Sequence, residues 1–309
     1  MLKTNKKIDF KPFHAEDKGI YDDFLFSEKV RGCEFSFGNL YFWGRQSFAI
    51  LYDHIVIFSQ FDRRTVYPYP LGKGDKKPVL DAIIADSKAR GIPCRFTGLT
   101  DDAVDTIEKL YPGKFRFHCD RGSYDYVYDI NDLAELKGKK YHGKKNHLNR
   151  FIENNSGYKT EPITKANIPL VRKMAENWFV AKEEENPEGD YQMERAAIER
   201  ALKDYDSLRL EGLIISHNEE ILAFTIGSRL SHDTFDVHFE KARSDINGAY
   251  TAINYEFARY IRDKYPDVKY LDREEDMGLE GLRKAKESYK PHHMIEKYWA
   301  HLLEDGYDY

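Results

Sequence analysis

The sequence predicts an α+β protein of two tandem units, each a mixed, mostly antiparallel sheet flanked by helices. Three observations predict it. The chain has 309 residues, more than one hydrophobic core usually serves. In the second half the hydrophobic period switches between helical and strand spacing in a readable order: strand, two helices, three antiparallel strands, helix, strand, helix, strand. The first half gives a looser copy of that order, without obvious sequence identity.

In the second half, Lys159 to Ile163 is a short strand-like run. Thr164 stands where a helix cap is expected, ahead of Val171, Met174, Ala175 and Trp178 at helical spacing. After the acidic loop KEEENPEGD, Ala197, Ile198, Ala201 and Leu202 mark a second helix. The runs SLRLEGLIIS, ILAFTIGSRL and TFDVHFE read as strands joined by hairpin-sized HNEE and SHD. Tyr250, Ile253, Phe257 and Ile261 form one face of a long amphipathic helix that Tyr265-Pro266 ends. VKYLD is a strand, GLEGLRKAKES a helix, and the aromatic tail MIEKYWAHLL is expected to close this same sheet.

The first half opens its sheet with FAILYDHIVIFSQF, two strands about a tight turn, then RTVYPYP. LGKGD leads into a helix with Val79, Leu80, Ile83 and Ile84 on one face; IPCRFTG, TDDAVDTIEKLYPG, FRFH and YDYVYD follow as strand, capped helix and two strands. The expected division is an N-terminal domain over 1–135, a basic helical connector over 136–157 and a C-terminal domain over 158–309. FSFGNLYFW, residues 35 to 43, reads as core packing more readily than as a base-stacking surface. PLGKGD, residues 70 to 75, lacks Walker spacing and reads as a loop.

Composition narrows the class. Aromatic residues at 14% and charged residues at 33% describe a packed, well-solvated globule and not a disordered chain. No apolar run is long enough to span a bilayer, and MLKTNKKIDFKPF lacks the apolar stretch of a secretory leader, so a cytoplasmic location is expected. Cys33, Cys94 and Cys119 are scattered, which points to reduced thiols in or near the core and to no metal site. With a formal charge of -5, the chain lacks the field of a general nucleic-acid binder. Any polyanion must be met locally, and one segment invites it: between Lys137 and Arg150 there are six Lys or Arg and no acid.

That element order is similar to the GNAT acyltransferase fold. KGKKYHGKKNHLNRF, HFEKARSDINGAYTAINYEFA and DREEDMGLEGLRKAKESYKP resemble signature blocks of an uncharacterised bacterial family related to the C-terminal catalytic domain of phosphatidylglycerol lysyltransferases, and more distantly to Fem-type aminoacyltransferases. The resemblance runs from Phe10 to Trp299, and its last block is the most specific. It implies two tandem GNAT-like domains, the second catalytic, that move an amino acid from aminoacyl-tRNA to a lipid or peptidoglycan acceptor. The chain is read as lacking the membrane-embedded N-terminal region of the lysyltransferases, which sets a lipid acceptor in question.

Four segments are candidates for chemistry. YHGKKNHLNRF reads as a docked helix with Leu148, Phe151 and Ile152 on its apolar face and Gly157 as its stop. Lys139, Lys140, Lys144, Lys145 and Arg150 there would meet the phosphates of a carrier, or else form a solvated linker. In SDINGAY, Asn247 and Gly248 stand at a strand-to-helix junction that in this fold admits a pyrophosphate; an ordinary turn is the alternative. Alternation along DVHFEKA puts Asp236, His238 and Glu240 on one face, where Glu240, or alternatively His238, would accept a proton from an attacking amine. A solvated sheet face is the competing reading.

The block from Asp272 to Pro291 holds Asp272, Arg273, Glu274 and Asp276 after a strand and Arg283 and Lys286 on the following helix; the resemblance implies that this set is a substrate pocket in which Arg273 and Lys286 grip an anionic or carbonyl group. Macrodipole compensation and i, i+4 pairing explain the same residues without a ligand. The resemblance implies that Tyr289 protonates the leaving group. No nucleophile elbow is present, so direct attack on a polarised carbonyl is expected, with no tightly bound cofactor. The donor is expected to be aminoacyl-tRNA. Acyl-coenzyme A, for an N-acetyltransferase, and a non-catalytic tRNA- or metabolite-binding module are the alternatives.

Overall fold

The computed structural model describes residues 7–29, 32–61 and 64–303. The first six residues, part of the opening read for a leader, lie outside that range. The chain runs through β1 (Lys11–Pro12), α1 (Lys18–Leu25), α2 (Phe37–Phe42), β2 (Gln46–Leu51), β3 (His54–Phe61), β4 (Arg64–Pro68), α3 (Lys76–Arg90), β5 (Arg95–Leu99), α4 (Asp101–Leu110), β6 (Phe115–Cys119), β7 (Asp125–Asp129) and α5 (Ile130–Glu135). It continues through α6 (His142–Asn154), β8 (Lys159–Pro162), α7 (Ile168–Glu185), α8 (Gln192–Lys203), β9 (Glu211–His217), β10 (Glu220–Arg229), β11 (Thr234–Ala242), α9 (Ala249–Lys264), β12 (Tyr270–Asp272), α10 (Glu280–Glu287), β13 (His293–Ile295) and β14 (Tyr298–Leu302).

Two seven-stranded sheets result, in the orders β1-β2-β3-β4-β5-β14-β6 and β13-β7-β12-β11-β10-β9-β8. Each contains one parallel pair, β4 with β5 and β11 with β12, among mostly antiparallel neighbours. The α+β class and the repeated plan are therefore as expected. The boundaries are not: the compact units are residues 1–124 with 295–309, and residues 125–294. The 136–157 segment is part of the second unit and not a connector between two.

Strand exchange accounts for the difference. YDYVYD, assigned above to the first half, pairs with β12 through Val127 opposite Asp272. The C-terminal tail does not close the second sheet. It enters the first between β5 and β6, with Ala300 opposite both Phe96 and Phe117, and Ala300 and Leu302 are buried in that unit's core. Alternating polarity tells a strand which face to bury but not which neighbour to take.

Local corrections have equally local causes. Thr164 does not cap α7; its amide donates to Asn167 Oδ1 at 2.7 Å, and Asn167 is the cap residue, with Pro169 in the first turn. Ile152 is 41% exposed, because it falls beside the inward stripe of α6 that Leu148 and Phe151 define. Cys33 and Cys94 are buried, whereas Cys119 is exposed. Phe35, Phe37, Leu40 and Phe42 are core residues, as the packing reading of that stretch requires.

The second core joins α5, α6 and α9 to the sheet: Leu133, Leu148, Phe151, Ala252, Ile253 and Phe257 belong to one buried cluster. Gly248, at φ +83°, begins α9, and a Cβ there would run into the carbonyl oxygen of His147 and lie 3.1 Å from the Phe151 Cβ. The glycine thus permits α6 to rest on the start of α9. Gly248→Ala is expected to cost about 2 kcal/mol, from the left-handed backbone and the clash together. Urea unfolding of the two proteins checks this.

Candidate active site

The parallel register of β11 and β12, Asp236 opposite Asp272, carries their carboxyl ends to one edge of the second sheet. Glu240 projects from the end of β11 and Arg273 follows β12 directly. There Arg273 Nη2 donates to Glu240 Oε1 at 2.8 Å, with side-chain exposures of 14% and 11%. A charge so nearly dry persists only when paired. The Asn254 carboxamide, from α9, joins them: with its oxygen turned toward the guanidinium it accepts from Nε and Nη1 at 3.3 Å.

Tyr289 lies between two cations. The Arg273 guanidinium is 5.0 Å from the ring centroid and Lys144 Nζ is 3.8 Å from it. Burial, and then the charge of Arg273, bring the Lys144 ammonium down to about 8, with Glu240 opposing. The Tyr289 hydroxyl is 3.4 Å from Thr251 Oγ1 on α9. Burial raises the phenol above its ordinary value, and Arg273 opposes that rise, so the group is a proton donor at neutral pH. A buried ring, two cations, one carboxylate and one amide thus share a small space.

Most of the other residues expected to bind substrate hold the loop that carries Arg273. Asp272 Oδ1 accepts from the Glu274 amide at 2.8 Å, across a turn in which Glu274 has φ +58°. Asp276 accepts from Arg283 Nε at 2.7 Å and Nη2 at 3.1 Å, from Tyr126 Oη at 2.6 Å and from the Gly278 amide at 2.8 Å. Lys286 is buried and donates to the carbonyls of Arg273 and, at 2.6 Å, Glu275. Lys286 therefore fixes the backbone of Arg273 and does not join it in gripping a ligand. Arg283 and Asp276 are likewise engaged with each other.

Asp236, His238 and Glu240 do not all share a face: the register shift between Ile226 and Gly227 leaves His238 without a partner on β10, so that Asp236, opposite Ser228, and Glu240, opposite Thr225, fall on opposite sides of the sheet. His238 Nε2 is 2.8 Å from Ser228 Oγ, and its Nδ1 is 3.4 Å from both Asp236 Oδ2 and Glu274 Oε1. The donor atoms of Asp236, His238 and Glu274 lie within 4.8 Å of one another, close enough to share a cation. Glu240, expected as a base, has Oε1 committed to Arg273.

The basic segment divides too. Lys140 pairs with Asp132 at 2.6 Å. Lys139, Lys145 and Arg150 are exposed, and only Lys144 turns inward. Asn247 is exposed, whereas the close approach that Gly248 permits is to α6. Lys144 precedes Leu148 by four and Phe151 by seven, so helical spacing put it on the buried stripe. Asn254 and Thr251 gave no such signal, being polar positions on a helix read only for its apolar face.

This architecture, two mixed sheets flanked by helices, superposes on solved structures over nearly the whole chain. More specifically, a family model described as phosphatidylglycerol lysyltransferase, C-terminal, matches residues 27–301, and the chain belongs to that family. A conserved protein of unknown function from Bacteroides thetaiotaomicron is 38% identical, with 96% of this chain and 99% of that one covered and a TM-score of 0.90. The L-PGS structure from Bacillus licheniformis superposes at TM-score 0.69, with 16% identity and coverages of 97% and 95%. FemX superposes at 0.63, with 10% identity and coverages of 96% and 98%. An uncharacterised protein of Mycoplasmoides gallisepticum is 27% identical over 186 residues, which are 59% of this chain and 57% of that relative's length. No helix among the described residues is long and apolar enough to cross a membrane.

The Asp276 clamp has an acid signature. Arg283, then Tyr126 and the Gly278 amide, hold its carboxyl well below the usual carboxylate range. A depressed folded value contributes stability above the ordinary Asp range, and that contribution is lost as pH falls below about 4. Asp276→Asn is expected to be less stable than the parent at pH 7, with the gap narrowing below about pH 4. Thermal melts across that range measure it.

Proposed function

We propose that the protein transfers an aminoacyl group from aminoacyl-tRNA to an amine or hydroxyl acceptor. The observation that carries this reading is the inward Lys144 against Tyr289, Arg273 and Glu240, on a helix whose other lysines face solvent. One helix can thereby take the phosphates of a carrier on its outer side and reach the reacting carbonyl on its inner side. The match to the lysyltransferase family supports the same chemistry.

The acceptor amine or hydroxyl attacks the carbonyl of the aminoacyl ester. Neutral Lys144 takes the proton that the nucleophile loses, the Arg273 guanidinium stabilises the charge on the carbonyl oxygen, and the Tyr289 phenol gives its proton to the departing ribose oxygen. The ester C–O bond breaks as the new amide or ester bond forms. Proton return from Lys144 to Tyr289 restores the site. Glu240 and Asn254 hold Arg273 in place, and a coenzyme A donor fits less well because α6 occupies the approach at Gly248.

Two measurements test this. Charged tRNA should bind with strong salt dependence, and replacing both Lys145 and Arg150 with alanine should lower the log–log slope by about 1 to 2. Transfer should rise with pH through an apparent pKa of about 8, a limb absent in Lys144→Met, and Tyr289→Phe should slow turnover by about 100-fold or more. A parent protein that ignores charged tRNA at low salt would end the proposal.

A further inference from the structure

The first unit contains a cavity of about 310 Å³ that the chemistry above does not use. It arises from strand geometry. β4 and β5 run parallel through Tyr67 opposite Phe96 and Pro68 opposite Thr97, and the Tyr69 amide still reaches the Thr97 carbonyl at 2.9 Å. Beyond that point the chain leaves β5: Leu71 instead exchanges backbone bonds with Ile55, at 2.7 and 3.0 Å. The strands splay, and the gap between Leu71 and Gly98 opens at their carboxyl ends, where sheets with parallel strands commonly take ligands. Gly98, at φ +68°, keeps the gap clear of a Cβ that would strike the Phe35 ring and Glu34.

Two of the lysines that line this gap are paired with carboxylates. Lys76 donates to Glu28 Oε1 at 2.7 Å and to the Pro70 and Gly72 carbonyls, and Lys297 donates to Glu34 at 3.0 Å. Those ion pairs cancel. Glu28 uses only Oε1, which also takes the Gly72 amide at 2.8 Å; its Oε2 makes no hydrogen bond among the described residues. Lys29 and the carboxylate of Asp102 also line the cavity and form no ion pair among the described residues. Phe35, Leu71, Ala103 and Ile295 supply apolar wall. What remains is one ammonium and two carboxylate functions around a partly apolar space of small-molecule size.

We propose that this cleft binds a free α-amino acid, its ammonium between Asp102 and Glu28 Oε2, its carboxylate toward Lys29 and its side chain on the Phe35–Leu71–Ile295 wall. A pure anion would meet Asp102 and Glu28, and a pure cation would meet Lys29. A zwitterion satisfies both, and the volume is at the lower end of the roughly 300–1,000 Å³ range of ligand pockets. The lysine that the sequence placed in the PLGKGD turn, Lys73, is not a lining residue; the lysine that opens α3, Lys76, is.

Isothermal calorimetry of the intact protein with each proteinogenic L-amino acid at millimolar concentration tests this. At least one should bind, and its N-acetyl and its amide forms should each bind about tenfold more weakly, since each loses one charge. Asp102→Asn and Lys29→Met should each weaken binding about tenfold while melting with the parent, and the Lys145 and Arg150 variant in the other unit should bind as the parent does. Absence of any binding, equal binding of the blocked forms, or indifference to both substitutions would overturn it. A protein that binds charged tRNA but no free amino acid would keep the transferase reading and lose this one.

Discussion

A single nearly dry ion pair, Arg273 with Glu240, sets the demands that the rest of the second unit meets. A guanidinium 14% exposed is tolerable only if its carboxylate stays within hydrogen-bond reach. That in turn requires the loop after β12 to hold one backbone path through residues with left-handed φ at Glu274, Met277 and Gly278. Lys286 bonded to two carbonyls and Asp276 gripped by Arg283 and Tyr126 provide that restraint. The charged side chains of the loop are therefore structural in majority, and Arg273 is the one they deliver to the site.

Helix α6 links that interior to the surface. Its inward stripe is Lys144, Leu148 and Phe151, and its outward side holds Lys145 and Arg150. Because α6 crosses α9 at Gly248, where no side chain intervenes, Lys144 reaches the face of Tyr289. Burial there lowers its affinity for a proton, whereas Lys145 and Arg150 stand on the solvated side of the same helix. One run of lysines thus has two electrostatic environments, separated by helical rotation alone.

The two units repeat a plan but diverge in what their parallel strand pair encloses. In the second, the carboxyl ends of β11 and β12 present a charge pair and an aromatic ring. In the first, β4 parts from β5 after Tyr69 and leaves a lined cavity. The same topological position is used in each because a parallel pair within an otherwise antiparallel sheet ends both strands on one edge, where loops from each can converge.

Much was legible in the one-dimensional pattern. Periodicity identified the α+β class, the repeat, the order of strands and helices in the second half and the inward faces at Val171, Ile198 and Phe257, since burial of one face is a local constraint written at fixed spacing. Alternation made Glu240 a candidate, the loop after a strand made Arg273 one, and the family resemblance made Tyr289 one. Tertiary structure decided the partners: that β7 and β14 exchange sheets, that Lys286 and Asp276 restrain a loop, that Gly248 accommodates a helix, and that Lys144 sits on Tyr289. Alternation and helical spacing specify which side of an element is dry, but two charges become a pair, or a strand gains a neighbour, only through contacts between residues far apart in the chain.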